Sequence, residues 1–332
     1  MTSAARTKAT EDRLDEIRAA ASESPRATAT IQHPSGSSSP EGTYYGLPAL
    51  KAPPWTWQVP LYFFIGGIAG MSGCVAFIAQ LFRSEAGLIR VSLWTAFLGA
   101  AICPVLLIAD LGKPTRFLNM LRVFKFRSAM SLGAWTLVAF SGCAFLALGC
   151  FEFLLRGIAG PVLLPVLWLA EASSAVTGLV LASYTGVLIG ATAIPVWSEN
   201  RRLLPAHFLT SGLGCAAGIL ELAGFLIPAT QILGFIASGI ETLIELKLLV
   251  RKHSVDAPLH HGRSGRTLLI AGLLEGPAAL LLRVFWGSLP TGRCAAATCF
   301  IVGALLSRYA WIWAGRVSAH DPDALFQLQH KS

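Results

Sequence analysis

Charge is scarce in this 332-residue chain. Asp, Glu, Lys and Arg make up 13% of it, about half the ~25% usual in soluble domains. Hydrophobic residues make up 54%, and the mean hydropathy is +0.61. A soluble fold has no interior large enough for so much apolar surface, so the chain is expected to be a polytopic membrane protein. Clustered thiols are missing too. The seven Cys (74, 103, 143, 150, 215, 294 and 299) sit inside apolar runs without a single C-x-x-C. That spacing excludes iron–sulfur ligation and a Cys-type zinc site, and leaves the thiols as small core hydrophobes. The seven His (33, 207, 253, 260, 261, 320 and 330) fall in tails, in loops or at a helix mouth, whereas a haem in a bundle needs His pairs within spans. The chain is therefore expected to carry no haem, no iron–sulfur cluster and no metal. It has no phosphate-binding Gly-rich loop, no G-x-S-x-G and no metalloprotease helix. Continuous apolar runs without period-2 alternation exclude a β-barrel.

What is present falls into four segments. Residues 1–42 are polar, rich in Ser, Ala and Thr, and have no apolar h-region. They read as a disordered tail rather than a secretory signal, with a short surface helix near Glu11–Ala20. Residues 43–58 form an aromatic and Pro-rich interfacial segment: Tyr44, Tyr45, Trp55 and Trp57 suit the membrane–water boundary, and Pro53 and Pro54 delay the first helix. Residues 59–316 carry the transmembrane domain, and 317–332 a C-terminal tail. Eight spans are expected: Val59–Phe82, Leu88–Ala109, Ala129–Leu155, Leu167–Trp197, Ala206–Ile227, Gln231–Val250, Leu268–Leu289 and Cys294–Ala314. The fourth is long enough to tilt or to include an interfacial piece.

The net charge of +8 follows topology rather than nucleic acid. An even number of spans puts both termini on one side. About 20 of the 26 Lys and Arg fall on that side, and Arg83, Arg90, Arg156 and Arg293 on the other, so both termini are expected in the cytoplasm. Ionisable groups at membrane depth are costly and usually face an interior or a pathway. Glu221, Glu241, Glu245 and Glu275 are candidates for a proton path, with Arg283 and Arg308 in the same spans. The alternative for these acids is pairing with Arg283 or Arg308 to fix helix packing. Glu241 and Glu245, four apart, share one helical face. Glu152 and Glu171 lie near the expected outer ends, where a structural role is favoured.

The order of residues in "DLGKPTRFLN…RSAMSLGAW" (110–135) is more specific than its composition. Asp110, Leu111, Gly112, Pro114, Arg116 and Phe117, followed by Ser128, Met130, Ser131, Gly133 and Trp135, closely resemble the signature of the NrfD / polysulfide reductase membrane-subunit family. "YFFIGGIAGMSG" (62–73), "SYTGVLIGATAIPVW" (183–197) and "RYAWIWAGRVSAHDPDALF" (308–326) extend the resemblance over roughly residues 43–326. It implies an integral subunit of eight to ten helices, commonly two four-helix bundles without haem. It further implies exchange of electrons between membrane quinone (menaquinone or ubiquinone) and a ferredoxin-like 4Fe–4S subunit, which serves a catalytic subunit, often a molybdopterin enzyme. On that resemblance Tyr184, Asp110 and Arg116 are candidate quinone contacts, with Gly67 allowing close helix approach beside the slot. Arg122, Lys125 and Arg127, interleaved with Phe124 and Phe126 and joined by Trp55, form a candidate docking shelf for the iron–sulfur partner. The competing readings are a secondary transporter or proton-translocating bundle, for which the buried carboxylates and interrupted helices speak, and a structural membrane anchor.

Overall fold

The computed structural model describes residues 50, 53–111, 121–122, 124–125, 128–158, 160, 162–251 and 254–321. The tail 1–42, the Glu11–Ala20 helix, Tyr44, Tyr45, Gly112, Pro114, Arg116, Phe117, Phe126, Arg127 and the last eleven residues lie outside them. Among the described residues regular structure is helical throughout. Helix α1 spans Gln58–Leu81, α2 Ala86–Leu111, α3 Ala129–Leu155, α4 Leu163–Gly190, α5 Pro195–Glu199, α6 Leu203–Leu222 and α7 Pro228–Val250. After a 3₁₀ turn at Ser254–Asp256 come α8 (Ala257–His260), α9 (Gly262–Leu273), a π-turn (Leu274–Ala278), α10 (Ala279–Trp286) and α11 (Pro290–Ala319).

Seven helical segments are long and apolar enough to cross a membrane: α1, α2, α3, α4, α6, the continuous run Gly262–Trp286, and α11. The sixth expected span is helical over the 23 residues of α7 but is not one of the seven. Two further departures have clear causes. The expected span Leu167–Trp197 divides into α4 and α5, because Pro195 lacks an N–H and holds Ile194 extended (ψ 124°). The expected span Leu268–Leu289 begins earlier, at Gly262, and widens into the π-turn around Pro277, a device that recurs where a helix serves function.

Helix α1 packs on α2 and α4, and α3 packs on α4 and α2. Helix α6 packs on α7 and α11; α9, the π-turn and α10 pack on α11, and the π-turn also on α7. The two sets meet where α1 and α4 lie on α6. Glycine makes the tightest approach possible. A Cβ on Gly70 of α1 would fall 2.3 Å from the carbonyl oxygen of Gly178 on α4, so the backbones touch without intervening side chains. Leu98, Val105, Phe145, Leu169, Val176 and Phe285 point outward and exposed, as a lipid-facing surface requires.

Candidate functional site

One end of α1–α4 gathers the motif residues. Asp110, half-buried at the end of α2, accepts hydrogen bonds from the backbone N–H (3.1 Å) and hydroxyl (2.8 Å) of Thr56, just before α1. Its carboxylate thus ties the end of one span to the entrance of another. Ser128 N-caps α3, its hydroxyl accepting from Ser131 N–H at 3.5 Å. Tyr184, only 7% exposed near the end of α4, donates its hydroxyl to the carbonyl of Ala129. Its ring lies on Gly133, where a Cβ would sit 2.2 Å from a ring carbon. The Gly in the Ser-x-Met-Ser-x-Gly stretch therefore makes room for the phenol. Trp55 stacks on Trp197 of α5 at 5.6 Å between ring centroids, and Trp197 Nε1 donates to the carbonyl of Trp311 at 2.8 Å.

Gly67 is buried at the α1–α6 contact, its Cβ direction 3.7 Å from Gly212 Cα. It serves the approach of these helices. Arg122, Phe124 and Lys125 are exposed, and Phe124 meets Trp135 edge-on at 6.0 Å. Trp55 is half-buried against Phe63 and Trp197.

The four candidate acids do not form one group. Glu221, fully buried on α6, is gripped by Arg283 through two parallel bonds (2.9 and 2.7 Å) and by Arg293 (3.1 and 2.8 Å). Arg293 also donates to the carbonyls of Leu226 (2.7 Å) and Ile227 (2.9 Å) and to the Thr230 hydroxyl (2.8 Å). This is the arginine pairing anticipated as the alternative to a proton station, with Arg293 as an unexpected second partner.

Glu241 and Glu275 converge on a different residue, His207 of α6. Its Nδ1 lies 2.6 Å from Glu241 Oε2, and its Nε2 lies 2.7 Å from Ser307 Oγ and 3.8 Å from Glu275 Oε1. Ser211, one turn along α6, donates to Glu275 Oε2 at 3.1 Å. The guanidinium of Arg308 covers the Phe208 ring at 3.8 Å and donates to the Phe208 carbonyl at 3.2 Å. Glu241 Oε1 and Arg308 Nε and Nη1 have no hydrogen-bond partner among the described residues. His207, expected at a helix mouth, lies in the first turns of α6 and is only 4% exposed, so it faces the interior rather than solvent. The sequence carried a signal for it, a His–Ser pair four residues apart on a largely apolar helix.

One donor atom from each of His207, Glu241 and Glu275 lies within 4.8 Å of the others, close enough to share a metal ion. Both imidazole nitrogens already face protein partners, however, and Arg308 supplies positive charge nearby, so the set suits a hydrogen-bonded relay better than a metal centre. Glu245, one turn beyond Glu241 on α7, borders Gly272 of α9. With His260, Gly265, Arg266 and Leu268 it lines a pocket of about 90 Å³. Glu245 thus lies one helical turn from Glu241 and borders a cavity beside basic residues.

These features define an all-helical, multi-pass membrane protein with polar interior clusters and one polar, aromatic end. The family model described as polysulphide reductase, NrfD, matches residues 49–315, and the chain belongs to that family. It is also similar to the C subunit of polysulfide reductase from Wolinella succinogenes, at 29% identity over 188 residues, covering 50% of this chain and 56% of that protein. The protein thus spans little more than half the length of that curated relative.

Proposed function

We propose that this protein is the membrane-embedded quinone/quinol-binding subunit of a multisubunit respiratory oxidoreductase in the cell membrane. It would pass electrons between the quinone pool and a ferredoxin-like 4Fe–4S subunit that serves a molybdopterin-type or other catalytic subunit. The observation that carries this reading is that Tyr184, Asp110 and Trp55 lie at the same end of α1–α4, where Tyr184 bonds to Ala129 and Asp110 to Thr56. The family membership agrees with it. In this reading α7 is an eighth span, the helix pairings form two four-helix bundles, and both termini face the cytoplasm.

A bound quinone would supply two-electron, two-proton chemistry, and the donor set at this end fits such a head group. Tyr184 presents a phenol in an apolar wall, and its hydroxyl can swing from Ala129 toward a carbonyl oxygen. Asp110 supplies a carboxylate that orients Thr56 and accepts protons at the mouth. Arg116, outside the described residues, is proposed to close that mouth, while Gly67 keeps α1 close to α6 behind it. The route for protons through the second helix set is proposed to run from the Glu245 pocket to Glu241, His207 and Glu275. Glu221, held by two guanidiniums, is assigned to packing. Arg122, Lys125 and Arg127, with Phe124 and Trp55, are proposed to dock the iron–sulfur partner.

The test is quinone bound to the purified protein. Wild type should retain a quinone that site inhibitors displace, and Tyr184→Phe and Asp110→Asn should lose it while still folding. Asn preserves the oxygen that Thr56 needs, so that variant removes charge without removing the tie. Retention of quinone by both variants would refute the site, and solute uptake into vesicles by this protein alone would favour a transporter. Reversing the charge of Arg122, Lys125 and Arg127 together should release the partner complex and leave membrane insertion intact. A complex that survives the reversal refutes the docking shelf.

A further inference from the structure

Glu171 of α4 is 0% exposed, and among the described residues neither carboxylate oxygen has a hydrogen-bond partner. Ser174, one turn on and 1% exposed, has an equally unpartnered hydroxyl. Three residues apart on a helix, the two side chains share a face. That face meets α1 at Gly73, whose Cβ would lie 2.8 Å from Ser174 Oγ. The surrounding core is apolar: Met71, Leu148, Phe151, Leu167, Ala170 and Leu220. Its titratable members are Cys74 on α1, which donates to the Ala175 carbonyl at 3.1 Å, and Cys150 on α3. The charged groups on the neighbouring helices are committed elsewhere. Glu152 on α3 is held by Arg90 at 2.6 Å, and Glu221 on α6 by its two arginines.

We infer that Glu171 and Ser174 form a second intramembrane proton-exchange site, separate from the His207 cluster and independent of the quinone reading. An ionised carboxylate with no partner in such a core is far too costly, and a buried acid in that position takes up a proton instead. The neutral acid and the hydroxyl still require hydrogen bonds. Three oxygens without partners within one turn are the kind of group a buried water bridges, with about three bonds of its own. Through such a water the carboxyl proton exchanges with those of the water and of the Ser174 hydroxyl, with no change of oxidation state. The depth suits this role. Glu171 lies eight residues from the start of α4, about 12 Å at 1.5 Å per residue. Tyr184 lies thirteen residues farther along the same helix, about 20 Å. One span thus carries an acid toward one membrane face and a phenol toward the other.

Infrared difference spectra of the full-length protein and Glu171→Gln, both in lipid at neutral pH, test this. Wild type should show a free-acid carbonyl band that the variant lacks and that shifts on transfer to D₂O. No band difference would mean an ionised carboxylate and would overturn the proposal. A band that does not shift would mean a sealed acid, and a band abolished by sodium would mean a cation site; either overturns it as well. Should Glu171→Gln fail to fold, wild type can be treated with dicyclohexylcarbodiimide, which modifies protonated carboxyls in apolar surroundings. Peptide mapping should find the adduct on Glu171 and none on Glu221, and an unmodified Glu171 refutes the inference.

Discussion

Two buried ionic clusters occupy the same helices and differ in how completely they are satisfied. Helix α6 carries Glu221 near one end and His207 near the other, and α11 carries Arg293 and then Ser307 with Arg308. In the Glu221 cluster a single carboxylate receives four short bonds from two guanidiniums, and one of these reaches further to two carbonyls and a hydroxyl. Such a set is rigid: the Glu221 carboxylate is saturated, and among the described residues Arg283 Nε alone of the two guanidiniums' nitrogens is a buried atom without a partner. In the His207 cluster two carboxylates, one imidazole and one guanidinium share an interior, and Glu241 Oε1 and two Arg308 nitrogens find no partner among the described residues. The protein thus uses the same residue types for opposite ends. The closed cluster locks α6, α7, α10 and α11 together, while the open one keeps donors and acceptors in reserve.

Breaking the closed cluster should have the largest effect. Glu221→Ala leaves two buried guanidiniums without their counter-charge, and removing one partner of a buried pair costs about 3–5 kcal/mol. The protein should melt far earlier in mild detergent or fail to accumulate in the membrane. Replacing Glu221, Arg283 and Arg293 together with Leu, Met and Leu sharpens the point, because well-packed apolar substitutes for a buried ion set are often neutral or stabilising. A triple variant that melts near wild type, beside a Glu221→Ala that collapses, would assign this cluster to packing alone.

The open cluster should respond differently. Glu241→Ala removes the bond to His207 and leaves a buried imidazole nitrogen without its partner, which costs about 1–3 kcal/mol. The variant should fold with a moderately lowered melting temperature, yet proton-coupled quinol turnover of the assembled complex should fall by far more than stability does. Equal loss at Glu241 and at Glu221 in both readouts would erase the distinction between the clusters.

How legible this contrast was in the sequence varies by residue. The spans showed as apolar runs because lipid demands length and hydrophobicity and little else. The exceptions lie where one residue overrides the run, as Pro195 does in ending the fourth span. The acids were visible because charge is rare in such a protein, but their grouping was not. Glu221 and Glu275 look alike in sequence, yet one meets two arginines and the other meets Ser211 and His207. Only the rotation and depth of each helix decide that, and no local pattern encodes them. Asp110 stood out by its motif, whereas its partner Thr56, 54 residues earlier, carries no mark of the pairing.

The smallest expected effect belongs to Tyr184, which lies in neither cluster and has one hydrogen bond to lose. Tyr184→Phe keeps the ring on Gly133 and removes only the donation to Ala129, a change of about 0.5–1.5 kcal/mol in folding free energy. Its melting temperature should therefore stay closest to wild type of all these variants. Gly133→Ala separates ring position from hydroxyl chemistry, since its methyl would sit against the phenol and force the ring to move. Overpacking of this kind typically costs about 1–3 kcal/mol. If Tyr184 acts through its hydroxyl, quinone affinity falls in Tyr184→Phe with stability nearly intact, and falls in Gly133→Ala together with stability. If the tyrosine serves as bulk, only Gly133→Ala changes anything, and this end of the molecule belongs with the Glu221 cluster as packing.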